Sequence, residues 1–375
     1  MTSKEHKQHA FVQKPVGGKF HRNEFALLGA PCSVIQDLSD RLGTELKKDF
    51  RTGYVDADHN AANYNSPFEV KYTDKIDHNR LEFYSRDLTY EYKRMFNDQD
   101  VVLVNGNHFT ALKQIVIINK KKKESLSRKL DRLTDVIMIL LDEREEEVHD
   151  FIKEAIPHYS TLPVLNINDT HSILHIHKAA ISSRKPLLNG LVLAGGESTR
   201  MGHDKGAIDY HGKPQREHMA DILSSLCSET FISKRSEIEL NSSYSFIEDA
   251  FTGLGPYGGI LSAFRQNPNA AWLSVACDVP MLDQLTLLRL INNRDISKVA
   301  TCFHNPETNF PEPLITVWEP RAYQQLLYFL SLGYSCPRKV LINSDVHEVQ
   351  LDHTEVLTNV NTPEEYDNIK NHIVG

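Results

Sequence analysis

Cysteine is scarce and scattered. Cys32, Cys227, Cys277, Cys302 and Cys336 are odd in number and include no C-x-x-C pair. This pattern speaks against a thiolate zinc site or a disulfide framework, and fits free thiols in a reducing compartment. Long apolar runs are also missing. The longest, 136–141, falls far short of the roughly 20 residues that cross a bilayer. The polar segment 1–19 has no apolar signal-peptide core, so the expected location is the cytoplasm, with no membrane partner. There is no surplus of positive charge either: 42 Lys and Arg face 50 Asp and Glu, a net charge of −8. That balance argues against a general nucleic-acid binder and leaves any anionic substrate to local cations and metal.

The chain does have the length and rhythm of a two-domain enzyme. Its 375 residues, 40% of them hydrophobic, are enough to bury two cores. Short apolar runs at 25–28, 101–104, 114–118 and 136–141 alternate with polar, helix-permissive stretches. This is the pattern of an α/β domain with a mostly parallel sheet. The segment Ser182-Ser183-Arg184-Lys185-Pro186 reads as a linker, because proline disfavours helix at the residue before it. We therefore expect domains at 1–185 and 186–375, each α/β. In the second, a strand at 187–193 precedes a helix at 214–227 that admits Pro214 in its first turn.

The most informative run is Leu191-Val192-Leu193-Ala194-Gly195-Gly196-Glu197-Ser198-Thr199-Arg200-Met201-Gly202-His203-Asp204-Lys205. An apolar strand leads into a glycine turn whose amides can approach phosphate oxygens, and Arg200 and Lys205 offset the negative charge. Such a loop at a strand's carboxyl end lies where open α/β sheets bind ligands. A bare glycine pair is usually only a tight turn; the extended order is more specific.

The pattern L-A-G-G-x-S-x-R-M-G-x-D-K resembles the signature of the MobA family, the molybdenum cofactor guanylyltransferases. The resemblance implies a three-layer, Rossmann-like nucleotidyltransferase fold of the nucleotide-diphospho-sugar transferase type. Later segments match in order. Phe246-Ile247-Glu248-Asp249 precedes Gly253-Leu254-Gly255-Pro256-Tyr257-Gly258-Gly259, similar to the family's G-P-L-A-G loop and placed before a helix at 260–265. The apolar strand 272–276 delivers Cys277-Asp278-Val279-Pro280, where the family's aspartate binds magnesium. Asp278 read alone is also an ordinary helix N-cap. Glu312-Pro313-Leu314 is similar to a segment on the family's pterin side. Thr358-Asn359-Val360-Asn361-Thr362-Pro363-Glu364-Glu365 matches the family's N-V-N-T-P. Here physics alone gives a capping box from Thr362 to Glu365 and Pro363 at the first helical position. Asn359 and Asn361 are expected to alternate along a strand with both amides on one side.

The resemblance implies transfer of GMP from GTP to molybdopterin with loss of pyrophosphate. The acceptor phosphate is already ionised, so catalysis reduces to alignment and charge stabilisation. Mg²⁺ is assigned to Asp278 and phosphate neutralisation to Arg200 and Lys205. Leu193, Ala194, Gly195 and Gly196 supply the backbone cradle, Asp249 and Gly255 with its loop the ribose or base contacts, and Asn359 and Asn361 line the site. Further partners implied are molybdoenzyme apoproteins or other cofactor-synthesis proteins. Two departures stand out: Ser233 where the family has an asparagine-containing segment, and Tyr257 in place of leucine. The L-A-G-G form resembles the guanine-selective branch. A cytidylyl or sugar-phosphate nucleotidyltransferase, and a non-catalytic carrier, remain the alternatives.

The first half resembles the MobB family of P-loop GTP-binding proteins in Phe25-Ala26-Leu27-Leu28-Gly29, in the strand ending at Asn105-Gly106, and in Leu162-Pro163-Val164-Leu165. A P-loop NTPase-like fold follows from that resemblance. Aligning Gly29 with the first glycine of the P-loop puts Val34, Ile35 and Gln36 where glycine, lysine and hydroxyl belong, so triphosphate binding is not expected there. His171, His175 and His177 have a spacing that can bind a transition metal, although a solvated helix end explains them more simply. Residues 120–123 read as a solvated turn or, as the alternative, a contact for an acidic partner.

Overall fold

The computed structural model describes residues 22–57, 67–83, 94–194, 205–235, 242–351, 353–360 and 362–374. The chain divides into two compact units, Arg22–Ile181 and Ser182–Gly375.

In the first unit the described strands are β1 (Asn23–Leu28), β2 (Thr52–Val55), β3 (Val70–Asp74), β4 (Asn79–Phe83), β5 (Val101–Asn105), β6 (Lys113–Ile118), β7 (Val136–Leu141) and β8 (Val164–Asn166). Six of them form a sheet in the order β2-β5-β1-β6-β7-β8, parallel at every pairing. The continuous apolar runs of β1, β5, β6 and β7 suit strands covered on both faces. Phe25 and Leu27 face helices α1 (Cys32–Leu46) and α4 (Thr170–Ser182), where Ile35, Leu38, Leu42, Ile173 and Ile181 are buried. Leu28 faces the other way, towards α2 (Lys123–Ser127) and α3 (Asp150–Ala155), through Leu126 and Ile152. This gives three layers. Strands β3 and β4 form a separate antiparallel hairpin with Val70 opposite Phe83.

The second unit contains β9 (Leu188–Leu193), β10 (Thr230–Lys234), β11 (Ser245–Glu248), β12 (Ala271–Ala276), β13 (Ala300–Asn305), β14 (Phe310–Trp318) and β15 (Val346–Val349). Among the described residues these form a seven-stranded sheet in the order β11-β10-β9-β12-β14-β13-β15, with β14 antiparallel to both its neighbours. Val192, Leu273 and Val275 face α5 (Gln215–Ser224) and α7 (Gln284–Asn292). Leu191, Leu193 and Trp272 face α6 (Pro256–Gln266), α8 (Ala322–Ser331) and α9 (Pro337–Ile342). A last helix, α10, runs from Pro363 to Val374. From β9 the chain moves outward to β10 and β11, then returns to place β12 on the other side of β9. The direction of winding therefore reverses at β9, and the carboxyl ends of β9 and β12 flank the switch point at which open α/β sheets bind ligands. Among the described residues no helix is long and apolar enough to cross a membrane.

Candidate active site

Strands β9 and β12 are direct parallel neighbours, with Leu193 opposite Ala276. On the other side of β9, Ser233 of β10 pairs with Leu193. The glycine run and the Cys277-Asp278 turn therefore leave adjacent strand ends. Leu193 is buried and Ala194 half-buried; Gly195, Gly196 and Arg200 lie outside the described residues. Lys205 opens a single 3₁₀ turn, Lys205–Ala207. Its Nζ lies 3.2 Å from Oδ2 of Asp278, with the two side chains 23% and 22% exposed. The other oxygen, Oδ1, is buried and has no hydrogen-bond partner among the described residues. The capping role open to Asp278 is taken by Asp283, whose side chain accepts from the Thr286 amide at 2.8 Å at the start of α7. A buried carboxylate oxygen with no partner, beside a lysine, fits a hard divalent cation completed by phosphate and water oxygens. Among the described residues no group of three or more His, Cys, Asp or Glu side chains forms a metal site on its own.

Residues 358–360 cross this turn. The expected strand is absent there: the Val360 amide donates to the Asp278 carbonyl at 2.8 Å, and Val360 is buried. The chain is thus committed to a single cross-link rather than a ladder. Asn359 is exposed beside it, and Asn361 lies outside the described residues. The capping box is present, with Thr362 N donating to Glu365 at 3.0 Å and Glu365 N to Thr362 Oγ1 at 3.3 Å. The rings of Tyr210 and Tyr366 lie 5.3 Å apart. Burial, then the neighbouring Tyr366 and Asp278, push the Tyr210 phenol up to about 12. His211 reaches the Pro280 carbonyl at 3.0 Å and stacks on His218 with centroids 3.8 Å apart. His218 is held down at about 4, first by burial and then by His211 and Lys213.

Asp249 follows β11 and accepts from Ser233 Oγ at 2.8 Å. Burial raises its carboxyl above the ordinary value, against the bond from Ser233 and the charge of Arg235. Ser233, which departs from the family pattern, therefore bonds the carboxylate expected to meet the nucleotide. The glycine loop is shorter than expected. It ends at Gly255, whose φ of 56° marks the last residue before α6, and residues from Pro256 onward are helical. Tyr257 is fully buried with its hydroxyl on the Leu326 carbonyl at 2.7 Å, so it does not face a ligand. Gly258 and Gly259 belong to the helix because the backbone is crowded: an added Cβ would lie 2.3 Å from Phe251 O and 2.7 Å from Ser233 Oγ, respectively.

Glu312 carried no assigned chemistry in the sequence. Strand β12 pairs with β14 as far as Val275 and Ile315, and Glu312, three residues earlier in β14, is near enough to Asp278 for the two carboxylates to act on each other. It is buried, and burial raises its carboxyl, with Asp278 acting in the same direction and Leu314 N and Arg338 opposing. The signal available in the sequence was an acid inside an otherwise apolar strand.

In the first unit, Gly29 has φ 101°, and an added Cβ would lie 2.3 Å from Ile117 O. Only two residues separate it from α1. Ile35, at the lysine position of a P-loop, is completely buried in the core. Asn107 takes up the loop's backbone groups, donating to Ala30 O at 2.8 Å and accepting from Gly29 N at 3.4 Å. The three histidines of α4 do not converge: His171 and His175 are exposed, while His177 is fully buried against Phe25, with ring centroids 4.2 Å apart. Its two ring nitrogens have no hydrogen-bond partner among the described residues, and burial lowers it to about 4. Residues 120–123 lie in a 3₁₀ turn and the start of α2, mostly exposed.

A family model described as MobA-like NTP transferase domain matches residues 190–348. A molybdenum cofactor biosynthesis bifunctional protein of Synechocystis sp. is 34% identical over 190 residues, covering 50% of this chain and 54% of that protein. A probable molybdenum cofactor guanylyltransferase of Nostoc sp. is 30% identical over 183 residues, covering 48% of this chain and 88% of that protein. The molybdenum cofactor guanylyltransferase of Pseudomonas entomophila is 26% identical over 193 residues, covering 49% of this chain and 98% of that protein. The chain thus spans about half the length of the Synechocystis relative it matches.

Proposed function

The chain belongs to the molybdenum cofactor guanylyltransferase family, and on that premise we propose that it transfers GMP from GTP to molybdopterin, releasing pyrophosphate and forming the guanine dinucleotide form of the cofactor. The observation that carries this reading is the meeting of Lys205, from the 3₁₀ turn that opens at it, with Asp278, just beyond the end of β12, one carboxylate oxygen being buried and unpartnered among the described residues. A phosphate oxygen of molybdopterin forms the new bond to the α-phosphorus of GTP as the bond to the β-phosphate oxygen breaks, and the leaving charge departs as pyrophosphate.

Lys205 neutralises phosphate charge and Asp278 holds Mg²⁺, with Arg200 adding a second cation. Bound there, Mg²⁺ supplies charge neutralisation on the reacting phosphates. Leu193, Ala194, Gly195 and Gly196 offer the backbone to the triphosphate. Asp249, held by Ser233, and Gly255 take the ribose and base. Asn359, beside the Asp278 turn, and Asn361 of the same sequence motif complete the substrate contacts. The first unit is a MobB-like domain that does not bind triphosphate, serving cofactor-synthesis partners or receiving apoenzymes. With five free cysteines, the protein works in the cytoplasm.

Pyrophosphate release measured with molybdopterin and either GTP or CTP tests the reading. Release with GTP, lost in Asp278→Ala, is expected. Preference for CTP would replace the guanylyl assignment, and binding of GTP without any release would replace the enzyme with a carrier.

A further inference from the structure

Lys205 and Asp278 bind one another before substrate arrives, and in the reaction proposed above each leaves the other, the ammonium for phosphate and the carboxylate for the cation. The segment carrying Lys205 and the turn carrying Asp278 then need a connection that uses no reacting group. The ring of His211 supplies one, 3.0 Å from the Pro280 carbonyl. A carbonyl only accepts, so Nε2 carries the hydrogen.

Three features fix that ring. Gly212 N donates to Asp209 Oδ1 at 2.6 Å, Gly212 takes φ 80°, and Asp209 bridges Pro214, closing a tight turn with His211 at its tip. His218 lies flat against the His211 ring at an interplanar angle of 14°. His218 itself stands on α5, whose Met219, Ala220 and Leu223 are buried in the core. The contacts that orient the donor therefore use neither the Lys205 nor the Asp278 side chain.

We propose that His211 is a positioning residue, which keeps the Asp278 turn in register with the Lys205 segment while those two side chains engage substrate and cation. It acts through the Pro280 carbonyl, two residues beyond the carboxylate, and works with the Val360 amide bond to the Asp278 carbonyl on the other side of the turn. The inference rests on the reading of Asp278 as the metal ligand. Groups hydrogen-bonded directly to a ligating side chain commonly change metal affinity about 10- to 100-fold when removed; His211 acts one step further out, through the backbone of the turn, so a smaller change follows.

The test uses the full chain and three variants. His211→Phe keeps a flat ring for His218 and removes the donor, His211→Gln restores an N–H donor, and His211→Ala removes both. Mn²⁺ binding without nucleotide is measured alongside kcat and KM for GTP, with thermal melts as a control for folding. His211→Phe is expected to weaken Mn²⁺ binding and lower kcat, each several-fold, with a smaller change in KM, and His211→Gln to recover most of both. Wild-type Mn²⁺ affinity and kcat in His211→Phe would overturn the inference, as would a His211→Gln no better than His211→Phe. If Asp278→Ala binds Mn²⁺ as tightly as the unmodified chain, the metal reading itself falls, and this inference with it.

Discussion

The Lys205 ammonium lies 3.2 Å from Oδ2 of Asp278, so at rest the two charges offset each other, the one proposed above to meet phosphate and the other proposed to meet the divalent cation. Each must be drawn away by its own ligand, which makes their effects on binding and on rate opposite in sign. Lys205→Met is expected to tighten Mn²⁺ binding without nucleotide several-fold, because a competing charge is removed. The same change should lower kcat by about 10²–10³, the usual cost of losing a charge-stabilising group. Metal titration and pyrophosphate release on one preparation check both; unchanged or weaker Mn²⁺ binding would contradict this account of the pair.

Asp249 gives a different kinetic signature. It is a half-buried carboxylate bonded by Ser233 at 2.8 Å and lies away from the reacting phosphorus in the proposed arrangement. Asp249→Asn should raise KM for GTP about 10-fold, the loss of a charge-assisted hydrogen bond of roughly 1.5 kcal/mol, and leave kcat within about twofold. A fall confined to kcat would instead place the group at the transition state.

The strands that feed the motifs and the capping box were legible because each is local, an apolar run or a spacing of three residues. Their adjacency was not, since the register that puts Leu193 opposite Ala276 depends on a pairing between strands some eighty residues apart in sequence. Two local readings failed for identifiable reasons. Glycine signalled loop at Gly258 and Gly259, whereas both are helical glycines required by close approach to Phe251 and Ser233. Alternation signalled a strand at Asn359 and Asn361, but the Val360 amide is bonded to the Asp278 turn instead. The burial of His177 was readable in principle, because Ile173, His177 and Ile181 recur at helical spacing on the face that packs under β1.

The loop after β1 predicts a stoichiometry. Ile35 occupies the core where a P-loop would need a lysine, and Asn107 already bonds the Gly29 amide and the Ala30 carbonyl. Calorimetric titration of the full chain with GTP and Mg²⁺ should therefore saturate at one site per chain, and Lys205→Ala should weaken that site. A second micromolar site that survives Lys205→Ala would show that the first unit binds nucleotide by some other means.

His177 should make the first unit acid-sensitive. The ring is fully buried, has no hydrogen-bond partner among the described residues, and is held at about 4 by burial, against 6.5 when exposed. Between those values the unfolded chain binds a proton that the folded chain refuses, so stability rises with pH across this window. The contribution is complete above pH 6.5 and is lost progressively as pH falls towards 4, amounting to about 3 kcal/mol in all. Urea unfolding at pH 7 and pH 4.5, followed by a probe in the first unit, should show this loss. His177→Leu fills similar space without a protonatable group, and should flatten the slope while leaving stability at pH 7 unchanged or slightly higher. An equally steep slope in that variant would assign the acid sensitivity to carboxylates instead.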